Sequence, residues 1–188
     1  MVLIIALLTI FWYYSVMNRF RENNPEGEIQ QSQFKAGDKV RIGDKEFEIE
    51  SVETAAELGE KYGLKINRDI PVYHVKGTSP GRQGAYHPET DSVWLFENMT
   101  DEDTIKHELV HVVEYNKEKS PELIKFYERA KSKISEDSFE SNLVTFNFNK
   151  NIHEFIADGH AKKAFIEALK KEGLYEEFLQ LTGDLFEN

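Results

Sequence analysis

The sequence contains no cysteine among its 188 residues. The chain therefore has no disulfide framework, no thiol nucleophile and no cysteine-ligated zinc site. Basic residues are also scarce, since 23 lysines and arginines stand against 34 aspartates and glutamates, for a formal net charge of −11. A surface that binds a phosphate backbone needs the opposite charge, so we expect no nucleic-acid partner.

Apolar residues are plentiful enough for a packed core. They make up 40% of the chain, and 13 phenylalanines and 8 tyrosines are among them, which excludes wholesale disorder. The length fits one domain with or without a tail, since domains run roughly 100–200 residues. No internal repeat is visible, and we expect one folded unit over residues 34–188.

The first 17 residues, MVLIIALLTIFWYYSVM, carry no charge. As a helix they would rise about 25 Å, close to the roughly 30 Å of a bilayer's hydrocarbon core. Trp12, Tyr13 and Tyr14 suit the headgroup interface at one end of such a helix. We therefore predict a single-pass transmembrane anchor over residues 1–21, with a buried core helix as the alternative.

The flank of this apolar segment bears on its processing and orientation. No basic region precedes it and no small-x-small site follows it, which argues against a cleaved signal peptide. Arg19 and Arg21 favour a cytoplasmic domain, but acidic residues follow at once, so the side of the membrane stays open. Residues 22–33 are polar, include Pro25 and Gly27, and are predicted to form a linker.

Hydropathy periods in the folded unit change from strand-like to helical along the chain. Strands first and helices afterwards favour an α+β fold over an alternating, doubly wound one. The predicted elements are a hairpin over 34–51, a short helix over 53–62, strands over 70–75 and Ser92–Phe96, and helices beginning near 101, over 121–132, over 152–171 and over 174–181.

A metal-binding pattern lies in the helix that begins near residue 101. His107-Glu108-Leu109-Val110-His111 is an H-E-x-x-H motif, whose histidines lie one turn apart and within about 40° of each other. Both imidazoles can bind one zinc ion, and Glu108 can take a proton from zinc-bound water. The alternative is a pair of surface histidines, but the flanking residues are apolar.

A third ligand is needed, since catalytic zinc usually has three from the protein. Glu154 and Asp158 are four residues apart and face one side of a predicted helix. Glu154 is the candidate ligand, and Asp158 could accept a hydrogen bond from a zinc-bound imidazole. Asn151 followed three residues later by Glu154 is also typical of a helix cap, and the two roles are compatible.

These motifs together resemble the gluzincin metallopeptidases. The helix beginning Glu154-Phe-Ile-Ala-Asp158 is similar to that of the anthrax lethal factor catalytic domain and related secreted endopeptidases. The resemblance implies a zincin-like fold, in which a small mixed sheet precedes the active-site helix and the glutamate helix. It implies zinc bound by His107, His111 and Glu154, Glu108 as general base, and a peptide or protein substrate. It also implies that the strand Ser92–Phe96 edges the cleft and pairs with the substrate.

The sequence departs from this family at one position. Asn147 stands where the resembling enzymes have a tyrosine that stabilises the oxyanion, and Phe146 and Phe148 flank it. Losing one such donor costs about 10²–10³ in rate. Asn147, His153 or Tyr86 could substitute; otherwise the enzyme is weak or inactive.

The leading hypothesis is a membrane-anchored zinc metalloendopeptidase. Because the resembling enzymes are secreted, we expect the catalytic domain on the extracytoplasmic side. One alternative is an inactive zincin that serves as a membrane-tethered peptide- or protein-binding module. Another is a tethered interaction domain in which the H-E-x-x-H pattern is fortuitous.

Overall fold

The structure is a computed structural model that describes residues 34–42, 45–78, 85–97, 101–134, 148 and 150–186. Five strands and six helices over these residues confirm the α+β class. The predicted anchor, residues 1–21, and the linker, 22–33, lie outside the described residues. Within the described ranges, no helix combines the length and apolar character needed to cross a bilayer.

The five strands form one mixed sheet with the order β1-β2-β3-β5-β4. Neighbouring strands are antiparallel except β3 and β5, which are parallel. The predicted hairpin forms the first two strands, and β4 is a short strand that the sequence pattern did not predict. The strands are β1 Lys39–Ile42, β2 Lys45–Thr54, β3 Pro71–Lys76, β4 Ala85–His87 and β5 Ser92–Phe96.

The helices follow the predicted order, with one break. The stretch predicted as a single helix over 152–171 is two helices, because Lys162 between them has an extended backbone (φ −89°, ψ 109°). The helices are α1 Ala55–Lys61, α2 Glu102–Glu114, α3 Pro121–Lys133, α4 Ile152–Ala161, α5 Lys163–Lys171 and α6 Tyr175–Thr182.

One face of the sheet carries the helix with the H-E-x-x-H motif. Alternate residues of β3 and β5 point toward α2, and every third or fourth residue of α2 points back at them. Fully burying a leucine or valine stabilises the fold by about 1.5–3 kcal/mol, so this contact fixes α2 on the sheet. The residues in contact are Val72, Val93, Leu95, Ile105, Leu109 and Val112.

On the opposite face of the sheet, residues of the β1–β2 hairpin pack against those of β3. Val40, Phe47 and Ile49 from β1 and β2 are buried in one cluster with Tyr73 and Val75 from β3. The hairpin over residues 34–51 is therefore part of the core of the domain.

A second core surrounds α4 and is rich in phenylalanine. Phe155 lies at its centre, with ring centroids 5.2–5.9 Å from those of its aromatic neighbours, mostly in edge-to-face contact. This core holds α4 in place against α2, the most extensive packing between any two described helices. The neighbours of Phe155 are Phe126, Tyr127, Phe165 and Phe178.

The close approach of α4 and α6 makes a testable prediction. A Cβ added at Gly159 would lie 2.4 Å from Cζ of Phe178, which has no exposed surface and no room to move. Alanine favours a helix over glycine by about 1 kcal/mol, but overpacking a core costs about 1–3 kcal/mol. We expect Gly159→Ala to lower the free energy of unfolding in urea. The double variant Gly159→Ala/Phe178→Leu should lose less free energy of unfolding than the two single variants lose in sum. A Gly159→Ala variant as stable as wild type would contradict this packing.

The buried histidine of α4 predicts a pH dependence of stability. His160 Nε2 lies 3.0 Å from Thr182 Oγ1, and burial lowers the pKa of this histidine to about 4. The unfolded chain, with an ordinary histidine pKa near 6.5, takes up its proton first as the pH falls. The contribution of His160 to the free energy of unfolding is therefore complete above about pH 6.5. It falls by roughly 3 kcal/mol as the pH is lowered toward 4.

The variant His160→Gln isolates this effect, because glutamine can bond to Thr182 but does not titrate. We expect the free energy of unfolding of wild type, relative to His160→Gln, to fall between pH 6.5 and 4.5 in urea titrations. A difference that is constant with pH would contradict a buried neutral imidazole.

Candidate metal centre

Two buried histidines of α2 face each other. The Nε2 atoms of His107 and His111 are 3.1 Å apart, and the rings lie nearly perpendicular, at 84°. Both side chains are more than nine-tenths buried. The one-turn spacing of the motif therefore brings two ring nitrogens to a common point, as the sequence predicted.

The third side chain at this point comes from α4. Glu154 Oε2 lies 3.3 Å from His107 Nε2, and Oε1 lies 3.6 Å from His111 Nε2. Asn151 caps the helix by accepting the N–H groups of His153 and Glu154, while the Glu154 side chain points to the histidines. His107, His111 and Glu154 form a group that could hold a metal ion.

Asp158 orients the first of these histidines. Its Oδ1 lies 2.9 Å from His107 Nδ1, and the carboxylate has no exposed surface. A carboxylate at Nδ1 keeps the proton on that nitrogen and leaves Nε2 free for a metal ion. The sequence left open which histidine Asp158 contacts, and the structure places it on His107.

The charge states of the two histidines differ. Burial and, to a smaller extent, the neighbouring His107 lower the pKa of His111 to about 4. Burial also acts against protonation of His107, but hydrogen bonds to Asp158 and Glu154 outweigh it and raise its pKa to about 9. Two imidazoles at this distance cannot both carry a charge, so His107, which contacts the carboxylates, holds the proton.

Glu108 is buried beside the histidines and is held by the sheet. Its Oε2 accepts a hydrogen bond of 2.8 Å from the backbone N–H of Tyr86 in β4. Burial raises the pKa of this carboxyl above its ordinary value, although His107 and the Tyr86 N–H oppose the rise. A carboxyl whose pKa is raised above its ordinary value takes up a proton more readily, as a general base must.

The strand beside Glu108 is the edge of the sheet. Tyr86 is opposite Val93 in β5. Because the Tyr86 N–H bonds to Glu108, these two opposite residues form a pair without hydrogen bonds between the strands. The N–H and C=O of Tyr86 therefore face the outer edge. The predicted edge strand, Ser92–Phe96, lies instead between β3 and β4, and that prediction was wrong because β4 was not recognised.

A polar network fixes β4 to α2. The Tyr86 hydroxyl donates to Asp91 Oδ1 at 2.8 Å, and Arg68 bonds both Asp91 Oδ2 at 2.6 Å and the Val112 carbonyl at 3.0 Å. Asp91 has a left-handed backbone (φ 46°), to which aspartate is better suited than most residues. The phenol of Tyr86, a candidate oxyanion donor, is therefore bonded to Asp91.

Of the other candidate donors, His153 is among the described residues. The His153 ring stacks on Tyr115 with centroids 4.8 Å apart, and Tyr115 in turn contacts Tyr86 edge-on. Tyr115 follows His111 by one helical turn, so this aromatic array borders the histidine face of α2. Asn147 and Phe146 lie outside the described residues.

Comparisons of the chain with protein-family models, with curated proteins and with solved structures find no match. The functional interpretation therefore depends on the residues and distances of the site itself.

The ligand group predicts the effect of removing one histidine. His107→Ala or His111→Ala leaves two protein ligands, and we expect the affinity for Zn²⁺ or Co²⁺ to fall by more than the roughly 10–100-fold that losing a mere outer partner costs. Competition with a chromophoric chelator measures this affinity. His74→Ala is the matched control, because His74 pairs with Glu53 in another part of the sheet. Equal affinities in all four proteins would eliminate the site.

Proposed function

We propose that the protein is a zinc-dependent peptidase. The supporting observation is the close approach of the donor atoms. His107 Nε2 and His111 Nε2 are 3.1 Å apart, and the two Glu154 oxygens lie 3.3 Å (Oε2) from His107 Nε2 and 3.6 Å (Oε1) from His111 Nε2. A tetrahedral zinc ion with bonds of about 2.0–2.1 Å has ligand atoms about 3.3 Å apart. Two imidazoles and one carboxylate also suit zinc better than magnesium or calcium, which prefer oxygen ligands.

The position of Glu108 supports hydrolysis as the reaction. A zinc ion at this site would supply a Lewis acid that polarises a carbonyl and lowers the pKa of water. The Glu108 carboxylate interacts electrostatically with His107 and Glu154 and is shielded from solvent. It takes a proton from the attacking water and gives it to the departing amine, two steps that a raised carboxyl pKa serves equally.

The edge of the sheet supports an extended peptide as the substrate. An exposed strand edge binds an extended chain through backbone hydrogen bonds, and Tyr86 turns its C=O to that edge. The same residue bonds Glu108, so a peptide added to β4 would pass beside the general base. The net charge of −11 modestly favours cationic peptides.

The second candidate function is a peptide- or protein-binding module that holds zinc without catalysis. One observation favours it: the Tyr86 phenol, a candidate oxyanion donor, donates its hydrogen bond to Asp91. In either case the proposal includes a membrane anchor over residues 1–21 and a domain on the extracytoplasmic side. The support for this part is the apolar sequence and the resemblance to secreted enzymes.

Replacement of Glu108 separates the two functions. We expect full-length protein in detergent to cleave members of a broad peptide library, and a chelator to abolish cleavage. Glu108→Gln should bind zinc as wild type does but cleave about 10²–10⁴-fold more slowly, because a general base is lost. Glu102→Gln, on the exposed side of the same helix, should cleave at the wild-type rate.

Two results would contradict the peptidase. Cleavage by Glu108→Gln at the wild-type rate would exclude Glu108 as the base. Stoichiometric zinc with no cleavage by wild type would favour the binding module.

A further inference from the structure

A lysine at the break between α4 and α5 reaches back to the candidate metal centre. Lys162 Nζ lies 2.7 Å from Asp158 Oδ1, the same oxygen that lies 2.9 Å from His107 Nδ1. Only 16% of the Lys162 side chain is exposed, and Asp158 has no exposed surface. Lysine, aspartate and histidine thus form a continuous chain of contacts that ends at Nδ1 of a candidate ligand histidine.

A cation is favourable at the C-terminus of α4, where Lys162 is the C-cap residue, but helix capping does not account for the burial of this side chain. Lys162 is the N-cap residue of α5, where Ser, Thr, Asp and Asn are preferred because their side chains accept backbone N–H groups. A lysine has no acceptor, and α5 begins without a side-chain cap. The next residue, Lys163, is exposed, so a cation at this end of α4 did not need to be buried. The partner that explains the lysine is Asp158.

The charges around the centre give a reason for this contact. Glu108, Glu154 and Asp158 supply three negative charges, whereas a divalent ion supplies two positive ones. Lys162 supplies the third positive charge, and a buried charge is strongly destabilising unless it is paired.

We propose that Lys162 is a positioning residue of the metal centre. By holding the Asp158 carboxylate in one orientation, it fixes the His107 ring so that Nε2 faces the ion. Lys162 acts through Asp158 and does not contact the ion. This inference rests on the metal site of the proposed function and does not depend on peptide cleavage.

The test is the affinity of full-length protein for Zn²⁺, measured by chelator competition in Lys162 variants. We expect Lys162→Met to bind Zn²⁺ about tenfold more weakly, the lower end of what losing an outer partner of a ligating histidine costs. Lys162→Arg keeps the charge and should bind close to wild type. Lys163→Met removes the neighbouring exposed lysine and should leave the affinity unchanged.

A double-mutant cycle separates positioning from a general effect on folding. Asp158→Asn alone should weaken Zn²⁺ binding by about 10–100-fold. Adding Lys162→Met to Asp158→Asn should cost nothing further, because the residue through which Lys162 acts is already changed. A lysine that only stabilised the helix junction would cost the same in both backgrounds, and that result would overturn the proposal.

The remaining outcomes are also decisive. An affinity in Lys162→Met equal to that in Lys163→Met would overturn the inference. If Lys162→Met does not fold, Lys162→Gln takes its place; a loss like that expected for methionine supports the proposal, and wild-type affinity overturns it. Wild-type protein that binds Zn²⁺ but cleaves no peptide would overturn the peptidase alone and leave the role of Lys162 standing.

Discussion

The packing of α4 against α2 is the contact on which the candidate metal centre depends. Each helix alone supplies an incomplete set of ligands: two imidazoles from α2 and one carboxylate from α4. The contact between Asp158 and His107 lies inside this interface with no solvent access to the carboxylate. A buried carboxylate is stable only with its partners in place, so the interface and the arrangement of the site stabilise each other.

The two cores of the domain hold these helices from opposite directions. The sheet fixes α2 through Leu109 and Val112, while the phenylalanine core fixes α4 through Phe155. Gly159 lets α6 approach α4 closely enough for Phe178 to fill that core. Because well-packed interiors tolerate little displacement, the donor atoms are held near their mutual distances by groups remote from the metal position.

The edge strand β4 adds the candidate general base, Glu108, to this arrangement. The Tyr86 N–H fixes the Glu108 carboxylate, and the Arg68–Asp91 pair ties the turn after β4 to the backbone of α2. The strand β4, which we propose as the peptide-binding edge, is therefore coupled to Glu108. A three-residue strand could not set this position through its own ladder alone, which is why polar contacts from outside the sheet matter here.

The sequence by itself determined the features that depend on local pattern. Helical spacing placed both imidazoles on one face of a helix, and it placed Glu154 and Asp158 together on another helix. The change from strand-like to helical hydropathy periods along the chain indicated an α+β fold. Each of these follows from 3.6-residue or two-residue repeats, which a linear sequence displays directly. The membrane anchor stays a prediction from composition.

Only the tertiary structure decided which elements meet. The sequence could not show that Asp158 contacts His107 and not His111, because both histidines lie on one face and the choice depends on how α4 crosses α2. It could not show β4 as the edge, because three residues are too few to display an alternation. It also could not show the break at Lys162, where a long helical pattern continues but a buried ion pair with Asp158 forms. The contacts of Asp158 with His107 and of Tyr86 with Glu108 join residues whose relation is set by packing and not by their spacing in the chain.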